Sequence, residues 1–237
     1  MARTSLIIGC CGFPVAKKKY LEKLRSVEIQ QTFYELPSEQ LLKKWRTELP
    51  DWFVINMKAW QAITHPPGTP TWRRAKTKIP SELKDRYGFL RTTKENLEAW
   101  DKIAKAAKIL EARVVVIQTP PSFKCAVKDH VENARSFFSV IEKDGFVVGW
   151  EPRGDWMKKP ECQKEVRKIV ENTGIIHIVD PFKYKPVALS ETLYFRLHGR
   201  NGEVNYRYKY SSRDFDELTN IIAKMVKSGG NIKKIYI

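Results

Sequence analysis

The sequence predicts a single (β/α)8 barrel of the TIM type, with residues 1–237 forming one domain. Three observations point there. Short runs rich in β-branched and aromatic residues alternate along the whole chain with longer stretches of helical periodicity. Eight such runs occur, the number a barrel of this type needs. The fourth, Val114-Val115-Val116-Ile117, is apolar without interruption, as a strand covered on both faces must be.

Taken in order, the strand candidates are 5–9, 26–30, 52–57, 113–118, 146–151, 175–179, 192–198 and 232–237. Helical patterns fill 38–48, 94–110, 127–143, 160–172 and 211–228, and 15–25 has room for a short helix. Ser38 and Ser211 stand where N-caps belong. In 94–110, Leu97, Trp100, Ile103, Ala104, Ala107 and Leu110 share one helix face. The exception to this rhythm is the long connection 58–93, whose prolines forbid a continuous helix. It follows the third strand and so lies on the C-terminal rim, where long loops usually carry function.

A composition of 42% hydrophobic and 30% charged residues is that of a globular chain rather than a disordered one. A chain of this length can bury about 70% or more of its surface, so it needs no disulfide or metal staple. Its four cysteines, two of them the adjacent Cys10 and Cys11, suggest neither a disulfide framework nor a CxxC pair. No apolar run is long enough for a bilayer. Met1-Ala2-Arg3 leads straight into the first strand without a secretory leader. The expectation is a soluble, cytoplasmic protein with no membrane partner.

The net charge of +16 is unevenly spread. Residues 1–110 hold 21 basic against 11 acidic residues, 111–180 balance at 11 each, and 181–237 hold 11 against 5. The excess therefore lies at the two ends of the chain, which a barrel brings side by side. Such a field attracts polyanions, although solvated lysines on helix faces produce the same excess.

Polar residues at the C-terminal ends of barrel strands face a shared mouth. There the sequence supplies Glu28 and Gln30, Asn56 and Lys58, Gln118, Glu151 and Arg153, Asp180, and Arg196 and His198, with His65 close behind the third strand. Charged residues inside strands require partners. One reading is an ion-pair network that fills the mouth. The other is an anion site in which Lys58, Arg153, Arg196 and Gln118 hold phosphate. Glu28 or Glu151 would then be the base, and His198 or His65 the acid.

Several motifs make a family resemblance visible. Gly9-Cys10-Cys11-Gly12-Phe13 resembles the opening of the YecE-like family of unknown function. Val27-Glu28-Ile29-Gln30, then Thr32-Phe33-Tyr34-Glu35-Leu36-Pro37-Ser38, resembles its strongest signature. Lys58 with Thr64-His65, Gln118-Thr119-Pro120-Pro121, Glu151-Pro152-Arg153 with Trp156, and Tyr194-Phe195-Arg196-Leu197-His198-Gly199 continue the series in order. The resemblance implies a TIM barrel similar to endonuclease-IV-like and xylose-isomerase-like barrels. Two departures stand out. Gln30 replaces a common asparagine, and the chain ends at Tyr236-Ile237 inside the last strand, where an incomplete, thin wall is expected.

With four histidines, His65, His130, His177 and His198, the chain lacks ligands for a trinuclear zinc site. His177 reads as a packed core histidine, and at most one divalent ion could sit among His65, His198, Glu151 and Asp180. Cys10 and Cys11 have no neighbouring base and, like Gly9 and Gly12, read as small residues of a rim turn rather than nucleophiles. Two basic-aromatic segments suggest a nucleic-acid surface: Trp72, Arg73 and Arg74 within 71–94, and Arg200 with Tyr208 within 200–213. Packing and charge alternation explain the second segment equally well. Three readings stay open: nucleic-acid binding with phosphodiester hydrolysis, an isomerase-like enzyme for a phosphorylated sugar, and a non-catalytic nucleic-acid scaffold.

Overall fold

Successive residues of a strand face opposite sides of the sheet, and the computed structural model, which describes residues 4–228 and 231–237, shows where each face goes. The leader region read at Met1-Ala2-Arg3 lies outside the described residues. In β5 (Val114–Gln118), Val114 and Val116 point into the barrel, where Ile176, Ile178, Tyr194 and Tyr236 meet them. Val115 and Ile117 point outward to the helices, against Trp100, Ile103 and Phe137 among others. Both faces are covered, as the uninterrupted apolar run requires.

Nine parallel strands form the barrel. Besides β5 these are β1 (Ser5–Ile7), β2 (Gly9–Cys11), β3 (Ser26–Ile29), β4 (Val54–Lys58), β6 (Val147–Glu151), β7 (Ile176–Val179), β8 (Thr192–Phe195) and β9 (Lys234–Tyr236). They lie in the order β1-β9-β8-β7-β6-β5-β4-β3-β2. The first strand candidate is thus two strands. β1 pairs with β9, β2 pairs with β3, and the chain shifts allegiance at Ile8. The seam is stitched at that point: the Gly9 amide donates to the Ile237 carbonyl at 2.8 Å, and the Ile237 amide donates to Ile7 at 3.0 Å. β9 is therefore hydrogen-bonded on both sides rather than a thin place in the wall, and Tyr236 and Ile237 line the mouth.

The helices are α1 (Lys17–Leu21), α2 (Gln31–Tyr34), α3 (Glu39–Thr47), α4 (Lys94–Leu110), α5 (Lys128–Val140), α6 (Pro160–Thr173) and α7 (Ser212–Lys227). Ser38 and Ser211 cap α3 and α7 as expected, Ser211 in a reciprocal capping box with Asp214. α2 is too short to carry a readable period. β7 runs to β8 through residues 180–191 with no helix between them, so the outer layer is thin there. Among the described residues no helix is long and apolar enough to cross a membrane.

Two expectations need correction. Cys125, in the loop before α5, forms a disulfide with Cys162 in the first turn of α6, across 37 residues. The fold alone brings them together. Cys10 and Cys11 are not in a turn: the strand continues through Cys11, and the turn begins at Gly12 with its φ of 80°.

Gly9 has a stricter requirement. A Cβ there would stand 2.3 Å from the Ser26 carbonyl oxygen, against backbone that cannot swing away. Gly9→Ala should therefore destabilise the protein by about 1–3 kcal/mol through overpacking at the seam. Thermal unfolding should show a midpoint lower by several degrees; an unchanged midpoint would mean that the seam has slack.

Candidate functional site

One guanidinium organises the mouth. Arg196 follows β8 and is only 8% exposed. Its Nε donates to Glu28 Oε2 at 3.1 Å and its Nη2 to Glu28 Oε1 at 3.0 Å, a bidentate pairing with β3. Its Nη1 donates to Glu151 of β6, and to Gln118 Oε1 of β5 at 3.1 Å. Nη2 also reaches Cys11 Sγ of β2 at 3.4 Å. Tyr194 adds a hydroxyl donated to Glu28 Oε2 at 2.9 Å, and the Gln30 amide donates to Oε1.

The electrostatics follow from this wiring. Burial works against the Glu151 carboxylate, yet Arg196 and Arg153 outweigh it and hold its pKa below the usual value. Burial, and then the Glu28 charge, push the Tyr194 phenol far up, so it remains a neutral donor. Desolvation of the thiol, and then the Glu28 charge, raise the pKa of Cys11, although part of the residue reaches solvent.

A second cluster abuts the first. Arg153 Nη2 lies 2.6 Å from Glu151 Oε1 and donates to His198 Nε2 at 2.7 Å. Burial brings the His198 pKa down to about 4, so the ring is neutral and its proton sits on Nδ1, 3.8 Å from Asp180 Oδ2. Asp180 also accepts from the His198 amide at 3.1 Å and pairs with Lys183 at 3.5 Å. His198 is thus committed through Nε2, while its Nδ1–H faces Asp180 beyond hydrogen-bond reach.

Lys58 stands apart. Its Nζ lies 4.0 Å from the centroid of the Phe33 ring, and no ion pair to it occurs among the described residues. Burial first, then the Arg196 charge, lower its pKa to about 8. Thr32 holds the strand beneath it by donating to the Lys58 carbonyl at 2.7 Å. His65 comes alongside, its Nδ1 2.8 Å from Thr64 Oγ1, and burial keeps it neutral with a pKa of about 3.

These side chains surround a cavity of about 500 Å³. Glu28, Lys58, His65, Gln118, Arg196 and His198 line it, together with Phe33, Tyr34 and Tyr206, which sequence reasoning did not place at the mouth. Glu151 and Arg153 stand behind them, facing a neighbouring cavity. The rim segments are tied down. Trp72 lies in the 3-10 helix Pro70–Arg74, donates its indole N–H to the His65 carbonyl at 2.9 Å and packs on Trp60. Arg74 stacks 3.9 Å over Tyr34, and Arg73 is exposed. Arg200 pairs with Glu217 and Asp214, and the Tyr208 hydroxyl donates to Asp214 at 3.1 Å, so both serve the start of α7.

The residues do not fit a divalent cation. Among the described residues no three His, Cys, Asp or Glu side chains form a metal-holding group. Arg196 fills the space between Glu28 and Glu151, and Arg153 caps the remaining Glu151 oxygen.

Two outcomes follow from the wiring. Arg196→Met would strand two buried carboxylates and should cost about 3–5 kcal/mol in urea unfolding. Adding Glu28→Gln should restore part of that loss, and failure to do so would deny the pairing its role. The buried histidines also set an acid limit. His65 and His177 have pKa values of about 3 and His198 of about 4, all lowered by burial. Unfolded histidines bind protons below about 6.5. Stability should thus fall as pH drops from about 6.5 toward 4, because the unfolded chain takes up protons first. Urea midpoints between about pH 6.5 and 5 would show the slope, which His177→Asn should flatten.

The comparisons with known proteins place the fold. A DUF72 family protein from Enterococcus faecalis V583 superposes with a TM-score of 0.69 at 18% identity, covering 100% of this chain and 90% of that one. One from Thermotoga maritima MSB8 gives 0.64 at 19% identity, covering 98% and 90%. A xylose isomerase domain containing protein from Salmonella typhimurium LT2 gives 0.54 at 11%, covering 97% and 87%, which supports the barrel fold alone. No curated protein matches. The family model described as protein of unknown function DUF72 matches residues 17–237, and the chain belongs to that family.

Proposed function

We propose that the barrel mouth binds a small phosphorylated molecule of sugar-phosphate size and that Lys58 meets its phosphate. The observation that carries this reading is an ammonium 8% exposed, without an ion-pair partner among the described residues, on a cavity of about 500 Å³. Cavities of this size hold small ligands. Arg196, expected from sequence to hold phosphate, has committed its donors at the mouth, and Arg153 stands behind it with Nη2 on Glu151 and His198, which leaves Lys58 as the cation without an ion pair among the residues lining this cavity. Proton transfer falls to Lys58 and His65, because Glu28, Glu151 and His198 are occupied by the two arginines. A lysine that titrates at about 8 can both give and take a proton near neutral pH.

The second reading, single-stranded nucleic acid with phosphodiester hydrolysis, rests on the +16 charge and on exposed Arg73, Arg74 and Tyr206 around the mouth. Trp72 offers it little, because its indole is already bonded and packed.

Calorimetry with a panel of sugar phosphates tests the first reading. Lys58→Met should weaken binding at least tenfold, about 1.4 kcal/mol. An anion beside Lys58 raises its pKa, so binding at pH 8 should take up protons, and affinity should decline as pH rises above about 8. Equal affinity for Lys58→Met, or no proton uptake, would reject it. Tight, steeply salt-dependent oligonucleotide binding that Arg73→Ala with Arg74→Ala abolishes would put the second reading first.

A further inference from the structure

Behind the Arg153–Glu151–His198 partition lies the second cavity, of about 430 Å³. It occupies the side of the barrel where no helix covers the step from β7 to β8, under residues 180–191. Arg153, Lys158, His177, Asp180, Lys183 and His198 are among its lining.

The buried acceptors of this wall are already used, and Glu203 joins the lining from an exposed position at the rim. One Glu151 oxygen takes Arg196 and the other Arg153. Asp180 Oδ1 accepts from the Phe182 amide at 3.1 Å, while Oδ2 takes the His198 amide and Lys183. His198 Nε2 takes Arg153. Lys183 also donates to the Glu203 carbonyl at 2.7 Å, so its charge is held in place.

The donors are not all used. The Val187 amide donates to His177 Nδ1 at 3.1 Å, which fixes the lone pair there. Burial keeps this ring neutral, so its single proton is on Nε2. His177 Nε2 is buried with no hydrogen-bond partner, in a residue 2% exposed. Arg153 Nε is buried and unpartnered as well. Lys158 stands exposed at the edge with its ammonium free of ion pairs among the described residues. Buried donors without acceptors are costly and rare in native proteins.

We infer that this cavity is a second binding site, for an oxyanion group, with the His177 Nε2–H and Arg153 Nε–H as donors and Lys158 as the charge at its edge. The chemistry is that of a phosphate or a carboxylate: several acceptor oxygens and a negative charge, the complement of the unpartnered donors buried in this wall. The inference is independent of the reading of Lys58, because the two cavities lie on opposite sides of the partition.

Nitrogen-15 NMR of the histidine and arginine side chains tests it, with inorganic phosphate and acetate as separate probes. The His177 Nε2–H and Arg153 Nε–H signals should move saturably with at least one probe, and which one moves them separates phosphate from carboxylate. Arg153→Lys keeps a positive charge beside Glu151 but removes the Nε–H, and should weaken the response about fivefold or more. Lys158→Met, on an exposed side chain, should weaken it about threefold. Lys58→Met should leave it unchanged while weakening sugar-phosphate binding at the mouth. Signals that stay still with both probes, as a site filled by water would show, overturn the inference. So does a response that Arg153→Lys and Lys158→Met leave intact, or one that Lys58→Met removes.

Discussion

The mouth of this barrel depends on a single guanidinium. Arg196 reaches carboxylates on β3 and β6, an amide on β5 and a thiol on β2, from its own place after β8. Strands far apart around the ring are thereby held at fixed separations on the face where barrels keep their sites. Buried ion pairs are poor stabilisers when geometry is loose, because desolvation offsets the attraction. Here both Glu28 oxygens and both Glu151 oxygens have donors, the condition under which such a network is tolerated. Two carboxylates are matched by Arg196 and Arg153, so the network carries no net charge. Lys58 is buried beside it without a contact ion pair, and burial and the Arg196 charge lower its pKa accordingly.

Much of this was legible in the sequence, for a physical reason. Strands buried on both faces are apolar almost throughout, so the uninterrupted run at 114–117, and the run at 176–179 broken only by His177, could not hide. Charges at their C-terminal ends were conspicuous because the interior excludes them, and Glu28, Glu151, Arg196 and His198 do meet at one face. Their pairing was not legible. Which carboxylate takes which arginine depends on distances across the ring, and Tyr194 looked like any aromatic strand residue. The disulfide was invisible because 37 residues of chain separate its cysteines and only the packing of α6 joins them. The break at Ile8 left no mark either, since both halves of that strand carry small or apolar residues. His177 was placed correctly in the core, but the unused proton on its ring appears only once Val187 is seen against Nδ1.

The Arg153–Glu151–His198 partition gives one barrel end two compartments of similar size and different character. The first is lined by aromatic rings and the free ammonium of Lys58; the second presents donors from a histidine and an arginine beneath a thin outer layer. Both compartments share His198 as a wall, and through Arg153 and Glu151 that wall is tied to the Arg196 clamp.

The seam at Ile8 also bears on the order in which the molecule is made. β1 can find its neighbour only when β9 exists, because Ser5 pairs with Lys234 and Gly9 with Ile237 at opposite ends of the chain. Glu28 is in the same position, since its partner Arg196 lies 168 residues downstream. During vectorial synthesis the early strands emerge with a carboxylate among them whose counterion has yet to be added. Closing so long a loop is entropically slow. Glu28 therefore lacks its buried counterion, and β1 its neighbouring strand, until Arg196 and β9 have been made.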